Sequence, residues 1–105
     1  LALNQSKNQA QNVAQDILLE ESRMRNTVQF QLESVKITSE NLKLAEDIAR
    51  KNEIKFKEGL ISGFNLRQIQ TQLYEAQNNY LNAMQQLVVS KTKLSLLLNP
   101  VTQTK

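Results

Sequence analysis

The chain has 105 residues, 40% of them apolar, with a net charge of +3, two glycines, one proline and neither cysteine nor histidine. That set lacks the usual soft metal ligands, thiol nucleophiles and near-neutral proton shuttles, so no enzyme, no metal site and no cofactor is expected. Scarce glycine and proline, with few aromatic rings, indicate one extended helical unit and not a compact globular core.

The positive charge is not organised for nucleic acid. Residues Leu1–Glu58 carry nine bases and nine acids. The excess is Arg67, Lys91, Lys93 and Lys105 against Glu75, too widely spaced to track a phosphate backbone, so nucleic-acid binding is not expected. No apolar run approaches the ~20 residues needed to span a bilayer as a helix. Leu1–Gln15 has neither the basic start nor the apolar stretch of a signal peptide, so an exported parent would contain this segment as an internal piece.

The first element is announced by a seven-residue repeat. One row runs Ala14, Glu21, Val28, Val35, Leu42, Ala49, Phe56, and a second runs Leu3, Ala10, Ile17, Met24, Gln31, Thr38, Ala45, Asn52. These are the a and d stripes of one helix, separated by mostly Gln, Asn, Glu, Lys and Ser. The acidic pairs Glu20-Glu21 and Glu46-Asp47 are sequence neighbours that point to different faces, and read as solvated charges.

The repeat breaks at Glu58-Gly59-Leu60-Ile61-Ser62-Gly63. Gly59 is placed to close the first helix in the left-handed conformation, Lys55 and Lys57 complement its C-terminal dipole, and Ser62 is placed to cap the next N-terminus. The second element resumes in a new phase, with Leu66, Leu73, Tyr80, Leu87 and Leu94 in one row and Ile69, Ala76, Ala83, Ser90 and Leu97 in the other. It should end near Asn99-Pro100, because proline disfavours helix in the residue before it.

The expected fold is therefore all-α: a long antiparallel coiled-coil hairpin with a helix over about 1–58, a turn at 59–62 and a helix over about 63–98. A strict spacing of seven implies a left-handed supercoil. At 1.5 Å per residue the arms reach ~85 Å and ~55 Å, which leaves roughly Leu1–Arg23 overhanging without a partner helix. Pairing across the turn should bring Phe56 towards Leu66 and Ala49 towards Leu73. Leu18, Leu19, Val88, Val89, Leu96 and Leu98 fall outside the stripes, so each helix has apolar surface for neighbours on two sides. Self-association is expected on that ground.

The string Phe56-Lys57-Glu58-Gly59-Leu60-Ile61-Ser62, followed by Leu66, Gln70, Leu73, Ala76, Tyr80, Ala83, Leu87 and Leu94, resembles the TolC family of outer-membrane efflux proteins. The family pattern is an aromatic residue, then Gly-Leu/Thr-x-Ser/Thr three positions on, then Ala- and Leu-rich heptads. The resemblance runs from about Asp16 to Asn99. It implies a homotrimer in which this hairpin is a fragment of the periplasmic α-barrel, continuous with an outer-membrane β-barrel that alone contacts the membrane. Leu1 would then follow the β-strands, and the long continuous first arm favours the second of the two hairpins in each subunit. It implies partnership with a periplasmic adaptor protein and an inner-membrane transporter, in export of small molecules or proteins. By the same resemblance Gly59, Leu60, Ile61 and Ser62 form the adaptor-docking tip, and Phe56, Asn65 and Gln68 are candidates for the entrance or gate.

The chain departs from that pattern at the gate. Phe56 lacks the hydroxyl of the tyrosine often found there, Ile61 stands where some members have a basic residue, and Asn65 and Gln68 stand where acids often line the entrance. A carboxylate ring is not expected from this hairpin. Two other readings share the heptads. The hairpin of a periplasmic adaptor also has Gly-x-Ile-Ser near its tip, but its preceding helix has Arg and Leu where this chain has Lys51 and Lys55. A generic structural coiled coil would explain the heptads and leave the glycine tip unexplained.

Overall fold

The computed structural model describes residues 2–98, which form two helices, α1 over Ala2–Lys57 and α2 over Gly63–Leu98. They pack antiparallel into a rod of 85 × 29 × 17 Å. The fold is the all-α helical hairpin that the heptads predict, and α1 runs without a break through Gln31.

The burial pattern follows the repeat closely. From Glu21 to Asn52, every residue of the two stripes of α1 is buried or half-buried, and the same holds on α2 from Leu66 to Leu97. The most deeply buried are small or branched side chains, Val28, Ala49, Ala83 and Leu87. Small residues at the seam let the two backbones approach, and the larger Leu and Val side chains fill the space between them. Shallow clefts along the seam fix the relative level of the helices. Met24 and Thr27 share one with Ser90 and Lys93, and Ala45 and Ile48 share another with Ile69 and Gln72.

The unpartnered part of α1 is about one turn shorter than the arm lengths predict. Glu21 and Met24 are already half-buried against the end of α2, whereas Val13, Ile17, Leu18 and Leu19 are exposed. The expected stop at Asn99-Pro100 lies outside the described residues.

Threonines and charges within the helices are accommodated locally. Thr38 Oγ1 donates to the carbonyl of Ser34 at 2.8 Å, and Thr27, Thr71 and Thr92 do the same to the residue four back. Arg25 pairs with Glu21 at the edge of the seam, and Arg50 with Asp47 on the exposed side of α1.

One seam position is polar without compensation. Gln31 lies in the d row, and its Oε1 is shielded from solvent yet accepts no hydrogen bond from the described residues. A sheltered acceptor left without a partner is destabilising, and the rest of the amide reaches a cleft beside Gln86 and Ser90. Gln31→Leu should therefore stabilise the hairpin by about 1 kcal/mol. A rise in the urea midpoint with unchanged slope is the expected result, and a fall would show that the amide is held by water.

Candidate functional site at the hairpin tip

The turn is built from a helix end that closes on itself. Leu60 N–H donates to the carbonyl of Lys55 at 2.8 Å, and Gly59 N–H to that of Phe56 at 3.0 Å. This nested pair is the Schellman closure, and it requires the residue after the cap to enter the left-handed region. Gly59 does so at φ 77°. The chain then enters α2 with Ser62 as its cap. Ser62 Oγ accepts from Asn65 N–H at 3.2 Å, and its carbonyl accepts the first helical bond, from Leu66 N–H at 3.1 Å. Both helix ends are capped within the loop, so the tip is a defined backbone surface.

The side chains of the tip divide into two groups. Ile61, one of the residues of the expected docking tip, is half-buried, so it turns partly inward. Leu60 is 67% exposed, and so is Phe64 in the first turn of α2. A Schellman turn is commonly closed by an apolar contact between the residue at Leu60's position and the one at Lys55's. Here the residue at that position is a lysine, with Ile54 one residue earlier, and Leu60 remains 67% exposed.

Phe56 contacts the start of α2. Its ring edge lies 3.8 Å from where a Cβ on Gly63 would be, and the residue remains 43% exposed. Asn65 and Gln68, the other gate candidates, are exposed and three residues apart on α2, which puts them on one face. Phe56 at the end of α1 and Asn65 and Gln68 at the start of α2 are all exposed near the turn.

Phe64 is the tip residue that the sequence reading passes over. Its signal was present, since it is a large aromatic in the first turn of α2 and belongs to neither stripe. Together with Leu60 and the partly exposed Phe56 it gives the tip three large apolar side chains, flanked by the exposed cations Lys55, Lys57 and Arg67. Among the described residues no cluster of acids is arranged to hold a metal ion, and no helix is long and apolar enough to cross a membrane.

No family model, no curated protein and no solved structure matches the chain.

Proposed function

We propose that this hairpin is a periplasmic tunnel segment of a TolC-like outer-membrane efflux or secretion channel, and that its tip docks a periplasmic adaptor. In that reading the full-length protein is a trimer located in the outer membrane, and works with an adaptor and an inner-membrane transporter. The observation that carries it is the tip: a tightly capped turn at Gly59 that leaves Leu60 and Phe64 facing solvent. Exposed apolar side chains on a rigid backbone are the usual composition of a docking surface. The unequal arms and the motif from Phe56 to Ser62 support the same assignment.

The opening side chains under this reading are amides and a phenyl ring. Asn65 and Gln68 can hydrogen-bond across an entrance, but they supply no carboxylate charge, so this hairpin does not contribute an electronegative ring to it.

The test alters the docking side chains and spares the turn. A bulky residue at Gly59 would be forced into the left-handed region and would disturb the backbone, so Leu60→Ser with Phe64→Ser in the full-length protein is the cleaner variant. The trimer level in the outer membrane should be normal and drug export lost. Normal export with a normal trimer level would show that the tip is not the docking site.

A further inference from the structure

The hairpin tip has a charge as well as a shape. Residues 51–70 carry Lys51, Lys55, Lys57 and Arg67 against Glu53 and Glu58, an excess of two cations, while the rest of the chain carries nine bases and eight acids. All six charged side chains of this segment are exposed, and none is in an ion pair. Cations elsewhere on the rod have acids at hand: Arg25 and Arg50 are paired with carboxylates, and Lys93 shares a cleft with Glu20. We propose that the partner of the tip is a protein with a concave apolar socket whose rim carries carboxylates. This rests on the docking reading and adds the partner's chemistry to it.

The cations surround the tip instead of sharing one face. At about 100° per residue, Lys51 and Lys55 fall to one side of the seam residue Ala49, and Lys57 falls to the other. Arg67 follows the seam residue Leu66 by one position. In an antiparallel pair, the same sense of rotation from two facing seams leads to the same flank, so Arg67 joins Lys57. Each flank therefore has two cations, with Leu60 at the apex and Phe64 on the outer side of α2, both 67% exposed.

Distance separates a socket from a flat surface. At 1.5 Å per residue, Lys51 is set ~12 Å behind Gly59 along α1, and Arg67 lies ~6 Å beyond Gly63 along α2. A partner that covers Leu60 and also reaches these cations must wrap round the tip. A planar anionic bilayer resting on Leu60 would meet the carboxylate of Glu58, next to Gly59, and leave Lys51 behind. A protein rim can set carboxylates opposite the cations and leave Glu58 in solvent. Pairs at such a rim supply specificity and association rate, while the apolar side chains hold the complex.

The test is made in the full-length protein. Lys51→Gln, Lys55→Gln, Lys57→Gln and Arg67→Gln are combined, and the trimer level in the outer membrane reports assembly. Drug export should fall about tenfold, since four exposed pairs of modest strength are lost together. Lys51→Arg, Lys55→Arg and Lys57→Arg, which keep the charge, should leave export normal. The two flanks are also neutralised separately, each expected to lower export about threefold, which keeps the test open should the combined variant assemble poorly. Normal export from the glutamine variants, while Leu60→Ser with Phe64→Ser abolishes it, would overturn the carboxylate rim and leave the docking reading standing. Normal export from both sets would overturn both. Cosedimentation of the unaltered chain with vesicles of phosphatidylcholine and phosphatidylglycerol, lost in the combined glutamine variant, would assign the cations to a membrane surface and overturn the proposal.

Discussion

Replacing Ala49 with glutamate should destabilise the hairpin by about 3–5 kcal/mol, enough to unfold much of it at room temperature. Ala49 is only 4% exposed, in the seam between the helices. A glutamate there must either bury a charge with no cationic partner or force the helices apart, and both routes are unfavourable. The proper comparison is Arg50→Ala, one residue away. Arg50 pairs with Asp47 at 2.6 Å on the exposed face, where an ion pair is worth ~0–1 kcal/mol, so that change should barely move the denaturation midpoint. Urea titrations followed by circular dichroism separate the two cases. Similar midpoints for Ala49→Glu and Arg50→Ala would mean that the α1–α2 seam does not hold the fold.

The second large effect is at the turn. Gly59→Val should destabilise by ~1–3 kcal/mol, because a β-branched residue would have to occupy the left-handed region at φ 77°. Nothing lies within 4 Å of a Cβ built on Gly59, so the penalty is one of backbone conformation and not of collision. Gly63→Ala provides the contrast. Gly63 opens α2 in ordinary helical conformation, and an added methyl would meet the Phe56 ring at 3.8 Å, a normal contact. Alanine is the better helix former by up to ~1 kcal/mol, so this variant should be neutral or more stable. If both glycine variants lost stability equally, the Schellman closure would not be what sets the turn.

The two glycines differ in a way that the sequence indicates only in part. The sequence marks Gly59 as the helix stop because it follows Lys55 and Lys57 and ends the heptad phase. That Gly63 has an ordinary role follows from the cap at Ser62, which commits the next residue to the first helical position.

The same division runs through the whole molecule. The rows from Val28 to Ala49 and from Leu66 to Leu97 determine two helices and the faces by which they meet, because a side chain's rotational position depends only on counting residues at the helical period. The cap chemistry at Gly59 and Ser62 is equally local, and so was legible. What the count does not contain is the level of one helix against the other, since that depends on the path of the turn. Only the packed pair decides that the seam begins at Glu21, and that Ile61 turns partly inward while Leu60 and Phe64 face solvent. Those are properties of two helices fixed against each other, and the surface proposed for docking depends on them.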